Sequence, residues 1–486
     1  YRGLFLLGVF LASLFAPPVA HAIEPTVFTL WPVVDYRSAP AAGYRSIHSL
    51  GPFLKHETKG AETEYAFRPF FYRAFDDAGS SQTEVLYPVM TIKSHPDSTR
   101  VNILQLFSHD FGSRESGSTN RFYLFPFLFY GAPDEEQDGY FAFFPFAGKM
   151  YNWFGRDEIH FFLFPLYGQT HRQDRQIDNL LWPFFARVSG REESGYKFWP
   201  IYGQSEKTGH YRKSFFLWPI FFSEDLELET DTPVRRRAAF PFYMSIDSAE
   251  KSEQFVLWPF FSERVDNVQN YTEWNFPWPL IRVTRGETRY GYRLLPFRSD
   301  ETVEANRKRW YLWPVYKIED TQTEKFERRR DRVLYFLYSD MREEWYQTGE
   351  EKRRVALWPL FGYSRAKGVS HFHVFALLEP FFPANNAIER SWAPLWRIYQ
   401  QKWDQRGNRI ISLFWNLYWQ EKRDQAIAWE LFPLLEYQQT GSEEIDFRIL
   451  KGLLRYQSGQ DGKSLKLFYL PWGLSWSGEA VPAGTM

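Results

Sequence analysis

"FFLWPIFF", residues Phe215–Phe222, sets seven large apolar side chains around one proline, and close variants recur along the whole chain. "NLLWPFF" ends at Phe185, "QFVLWPFF" at Phe261, "WYLWPVY" at Tyr316 and "VALWPLF" at Phe361. Strand interiors avoid proline because it donates no ladder hydrogen bond, so a proline inside so apolar a run demands a structural reason.

The central prolines give the period. Pro145, Pro165, Pro183, Pro200, Pro219, Pro241, Pro259, Pro279, Pro296 and Pro314 follow one another at intervals near 19 residues. Earlier prolines from Pro32 and later ones to Pro471 extend the series. Four slots keep the apolar run and lack the proline: "VNILQLF" (Val101–Phe107), "VLYFLY" (Val333–Tyr338), "SLFWNLYW" (Ser412–Trp419) and "ILKGLL" (Ile449–Leu454). The total is 24 apolar centres, which account for nearly all of the chain. A fixed period on this scale marks a repeat architecture.

Between the centres lie short Gly, Asp, Ser and Gln turns, as in "RIISLFWNLYWQEK" followed by "RDQ" and "AIAWELFPLLEYQQT". Aromatic and β-branched runs alternating with such turns predict consecutive antiparallel hairpins, and no 3.6-residue stripe supports helix. The expected fold class is therefore all-β, a single antiparallel up-and-down meander of about 24 repeats. Proline allows two forms of it. One has a strand of ~14 residues per repeat with a mid-strand bulge; the other makes each proline a corner between two short strands. The four proline-free centres, read as unbroken strands, favour the first form.

Polarity is banded along the strand direction. From Arg212 to Leu228 both alternating faces are apolar in the middle and polar at the ends. A half-solvated sheet would instead keep one face apolar throughout. A band of about eight residues, tilted, rises roughly 20 Å, close to the ~25 Å apolar girdle of outer-membrane barrels. Phe468, Leu470, Trp472, Leu474 and Trp476 alternate and finish on an aromatic, which resembles the closing strand of outer-membrane barrel proteins. That resemblance implies a closed barrel. It departs from the porin pattern in an apolar inward face and in turns of similar length at both ends. The alternative is a β-repeat solenoid or shell of hairpins that buries its own centres.

Composition agrees with both. Aromatic residues make up 20% of the 486, and the 58 basic and 59 acidic side chains nearly cancel, which excludes a nucleic-acid footprint. Residues 1–22 predict an export signal, with Arg2, the apolar stretch Leu4–Ala16 and the Ala20-His21-Ala22 cleavage site. Residues 23–476 then form one β-repeat domain and 477–486 a tail. The chain has no cysteine, so neither a lipid-anchored thiol nor a disulfide framework is expected.

Catalytic motifs are missing: there is no nucleophile elbow, phosphate loop, zinc helix motif or dinucleotide fingerprint. The expectation is a protein that is not an enzyme and needs no cofactor. His371 and His373 share a strand face with Glu379 downstream, a pair short of a metal set. The carboxylates of Ser223–Asp231 face Arg235, Arg236 and Arg237 across a turn, which predicts cross-strand pairing. A second triplet, Arg328–Arg330, has solvent as its expected surroundings, with contact to lipid phosphates as the alternative.

Trp182, Trp199, Trp218, Trp258, Trp278, Trp313 and Trp358 are the candidate site residues, as a membrane belt or as ligand-stacking platforms. The functional expectation is an outer-membrane or envelope β-barrel, a scaffold or conduit for apolar or amphipathic molecules. Membrane lipid is its expected partner. The runner-up is a periplasmic or cell-surface β-repeat protein that binds sugar or lipid on aromatic platforms.

Overall fold

The computed structural model describes residues 26–112, 120–133, 138–383, 385–441, 444–459 and 462–476. The expected export signal and the C-terminal tail lie outside the described residues. Within them the chain is all-β, with 46 strands, most of them six residues long. Two compact units are present: Tyr87–Gln405, and the described residues up to Leu86 together with those from Arg406 onward. Inside each unit every strand pairs antiparallel with its neighbours in sequence, as in Tyr202–Lys207 with Tyr211–Phe216 and Tyr211–Phe216 with Phe221–Leu226.

The opening run is not the middle of a strand. Phe215 faces Phe222 and Phe216 faces Phe221 across a hairpin. The four residues Leu217–Ile220 between them are a corner. The Ile220 N–H donates to the Leu217 carbonyl at 2.8 Å and the Trp218–Pro219 peptide is cis, a type VI turn with proline at its third position. That position needs no N–H, so proline removes nothing from the ladder. The Trp218 N–H donates to the Pro200 carbonyl of the preceding corner at 2.7 Å, and Trp258 donates to Pro241 in the same way at 2.7 Å. Corners are thus stacked on corners by the same backbone bonding that joins the strands.

One strand per repeat is therefore corrected to two strands per repeat. The proline-free centres turn as well, each through at least two adjacent residues at positive φ: Leu104 and Gln105, Leu334 and Tyr335, Phe414 to Asn416, and Leu450 to Gly452. Their flanks pair across the turn, Ile103 with Phe107 and Val333 with Tyr338. Two consecutive left-handed residues are the hairpin-turn geometry that normally calls for Asn or Gly, which is why these runs read as unbroken strands. Two of the 24 centres, at Pro380 and Pro394, fall in a non-strand segment that holds the short helix Asn386–Ser391.

The first strand, Thr26–Leu30, pairs with Val34–Ala39, and the last, Gly473–Trp476, with Gly462–Leu467. No pairing joins first to last among the described residues, so the sheet is not closed into a barrel. The N-terminal strands do meet, within their unit, the corner between Arg409–Leu413 and Tyr418–Arg423. The Trp31 indole donates to the Phe414 carbonyl at 2.9 Å, the Asn416 amide donates to Asp35, and the Arg37 guanidinium lies 5.0 Å over the Trp419 ring.

Between its two edges the sheet buries charge as well as carbon. An apolar cluster gathers Phe129, Tyr140, Ala142, Met150 and Phe161. Further along the same unit, register sets Glu253, Arg264 and Glu273 side by side on one face. Glu253 and Glu273 are 3% and 4% exposed. Arg264 reaches Glu253 at 2.8 Å, and Arg282 and Arg289 each reach Glu273 at 3.4 Å. The inward face expected to be apolar is here a ladder of ion pairs. With six-residue strands, apolar residues concentrate at the corners and leave the polar strand halves to pack on each other.

Candidate functional site: an apolar edge of stacked corners

Within the Tyr87–Gln405 unit every second turn of the meander lies on the same edge, so the corners there form an apolar border. Trp182, Trp218, Trp258, Trp278 and Trp313 are all exposed there, between 42% and 50%. Trp199 and Trp358 are half-buried. Neighbouring pre-proline rings touch: Phe164 with Trp182 at 5.6 Å between centroids, Trp199 with Trp218 at 5.9 Å and Phe240 with Trp258 at 5.3 Å. The sequence-selected tryptophans are thereby brought to one edge, in files rather than in a pocket. Trp358 differs, because its ring packs on Phe336 and its indole donates to the Leu377 carbonyl at 3.2 Å.

The leucine before Trp182, Trp218, Trp258 and Trp313 is the residue that sequence reasoning passed over. Leu217, Leu257 and Leu312 have φ of 49°, 50° and 50°, a region that L side chains other than Asn and Asp seldom occupy. They are also 41%, 47% and 59% exposed. At the opposite edge of the Tyr87–Gln405 unit positive φ falls on Gly209 and Gly368, but also on Phe154, Gln173, Glu192 and Lys367. That edge thus seats glycine and mostly polar side chains in the left-handed region. The other places a solvent-facing leucine in the same strained region, corner after corner. The signal was present in the sequence as the recurring Leu-Trp-Pro triplet, but only φ gives it meaning.

In the other unit, charge is likewise kept off the corners. Arg68, in one corner, is buried and donates to the Pro52 carbonyl at 2.8 Å. Lys451, in another, turns back to Glu430 at 2.5 Å and also bonds Glu436.

The other candidates resolve as follows. Glu224 and Asp225 pair with Arg236 at 3.3 Å and Arg237 at 2.8 Å, the cross-strand pairing the sequence predicts. His371 and His373 do come together, with ring centroids 5.1 Å apart, and Glu379 lies 3.8 Å from His373 Nε2. The carboxylate is already taken, because buried Arg397 donates to Glu379 and to Glu389, each at 2.9 Å. Burial first, and the Arg397 guanidinium second, push His371 down to about 3 and His373 down to about 2. A cation at the mouth of the pair opposes metal binding. Among the described residues no three His, Asp or Glu side chains gather as a metal site, and no helix is long and apolar enough to cross a membrane.

No family model and no curated protein matches this chain.

Proposed function

We propose that this protein is a non-enzymatic, exported envelope protein of the outer membrane. Its corner edge seats in a lipid bilayer, and it serves as a scaffold or conduit for apolar or amphipathic molecules. The observation that carries this reading is the exposed leucine at positive φ. Such a residue is unfavourable in water on two counts, backbone and hydration, and it gains too little inside the fold to offset either. An apolar phase outside the chain supplies the missing term.

A bilayer is the occupant that suits the edge. Tryptophan and leucine at a common level, with charge turned inward, match the composition of a membrane interface. The edge is long and uniform, without the charged rim or isolated pocket that would select one protein partner. A corner of four residues reaches roughly 5–10 Å, the depth at which interfacial elements sit. In this reading the six-residue strands stay outside the hydrocarbon and only the corners enter one leaflet. Closure as an outer-membrane-type barrel is the other form of the proposal, in which the strands and not only the corners enter the hydrocarbon; its support is the contact of the N-terminal strands with Phe414, Asn416 and Trp419. A second reading, aromatic platforms that stack sugar or lipid, draws on the ring files.

Flotation with phosphatidylcholine vesicles, without detergent, tests the proposal. Vesicles whose acyl chains carry bromine at known depths should quench many tryptophans from one shallow position. Protein that stays at the bottom of the gradient, or self-associates through this edge with no vesicle binding, would overturn it.

A further inference from the structure

A cavity of about 550 Å³ lies within the Tyr87–Gln405 unit, against the strands between Tyr271 and Trp345. That size is ordinary for a small-ligand site. Its walls carry seven cationic and four anionic side chains, an excess of three positive charges.

The carboxylates are already engaged. Glu273 holds Arg289 at 3.4 Å, Glu301 holds Arg293 at 2.7 Å, and Asp320 holds Arg309. Arg307 is paired as well, to Asp300 at 2.7 Å. Register places Glu319 between Lys308 and Arg330 on neighbouring strands, yet its two oxygens are occupied by Lys317 and Arg332. Lys308, Arg328 and Arg330 therefore line the cavity with no carboxylate at salt-bridge distance among the described residues. Arg330 is half-buried, and its Nε is buried without a hydrogen-bond partner. Burial, with Arg332 and Arg328 close by, holds its guanidinium below the ordinary value.

A desolvated cation beside other cations is unfavourable unless an anion completes it. The size of the excess selects the anion. One carboxylate would leave two charges uncompensated, whereas a phosphate ester or diphosphate supplies two or three. Guanidinium forks and a lysine ammonium are suited to such oxygens.

We propose that this cavity binds a ligand of the phosphate class, presented either as a free phosphate compound or as the headgroup of an amphipathic molecule, with Arg330, Arg328 and Lys308 as its anion contacts. The site is separate from the corner edge and can fail or hold independently of it. Neutral vesicles report on the edge, and inorganic pyrophosphate without lipid reports on the cavity.

The test uses the full chain in low-salt buffer. Pyrophosphate titrated by calorimetry should bind, and Arg330→Gln combined with Lys308→Gln should weaken it at least about tenfold, as expected for lost charge-assisted hydrogen bonds. Arg330→Lys should retain most of the affinity. Arg212→Gln, at an exposed pair with Glu206 elsewhere, should change nothing. Lys308 is exposed, so Lys308→Gln alone gives the same readout by a few-fold even if the double variant does not fold. Adding phosphatidylglycerol to neutral vesicles distinguishes the source. Stronger vesicle binding by the wild type, lost in the double variant, indicates a headgroup; pyrophosphate binding without that dependence indicates a free ligand. Pyrophosphate affinity equal in all variants, or no response to either probe, would refute the site.

Discussion

Replacing Leu217, Leu257 and Leu312 together with asparagine separates what the corners need from what lies outside them. Each leucine holds φ near 50°, and asparagine is far more at home there. Relief of that backbone conformation is worth up to about 1 kcal/mol per site. Little internal burial is lost, because roughly half of each side chain already faces solvent. Urea denaturation without detergent should therefore show stability unchanged or slightly raised. Membrane affinity should move the other way. The exposed part of one leucine, roughly 80–100 Å² of apolar surface, is worth ~2 kcal/mol when removed from water. Three sites then amount to about 6 kcal/mol if every corner inserts fully, and a hundredfold fall in vesicle partitioning is the conservative expectation. Both quantities are read on one protein preparation. Loss of several kcal/mol of folding stability with vesicle binding intact would show that the leucines belong to a core, and the edge reading would fail.

Other outcomes follow from the interior. Truncating Phe129 to alanine in the apolar cluster should cost ~3–5 kcal/mol in chemical denaturation; a cost below 1 would mean the cluster does not bear on stability. Arg397→Met leaves Glu379, whose side chain is 12% exposed, without its cation and should cost about 3–5 kcal/mol, whereas replacing the exposed Arg212 should cost almost nothing. His371 and His373 ionise in the unfolded chain near 6.5 and in the folded chain only at about 3 and about 2. Between those values the unfolded state binds protons that the folded state refuses, so stability is full above pH 6.5 and falls on acidification. The slope is up to about 1.4 kcal/mol per pH unit for each histidine. Denaturant midpoints measured from pH 7 to pH 4.5 should decline accordingly, and His371→Gln with His373→Gln should flatten the decline; an identical slope in the variant would exclude the pair as its origin.

What the sequence determined by itself is the repeat: its period, its all-β character, and the alternation of an apolar centre with a polar turn. Those follow from local chemistry, since aromatic and β-branched runs broken by Gly, Asp and Ser turns leave no other regular structure. The cross-strand pairing of Glu224 and Asp225 with Arg236 and Arg237 was legible for the same reason, because register follows from a short turn. Whether Pro219 bends a strand or ends it was not. A corner is decided by φ at Leu217 and by the bond from Trp218 to the carbonyl of Pro200, a residue one repeat away, and neither leaves a mark in composition. The proline-free corner at Leu104 and Gln105 was hidden more deeply, since leucine there contradicts the local preference that sequence reasoning relies on. Only the tertiary arrangement decided that Lys308 and Arg330 would flank a carboxylate already taken by two other cations. It likewise set Arg397, rather than a metal, against Glu379 beside His373. In each case the outcome rests on competition among groups far apart in the chain, and only the folded geometry settles which of them gets the partner.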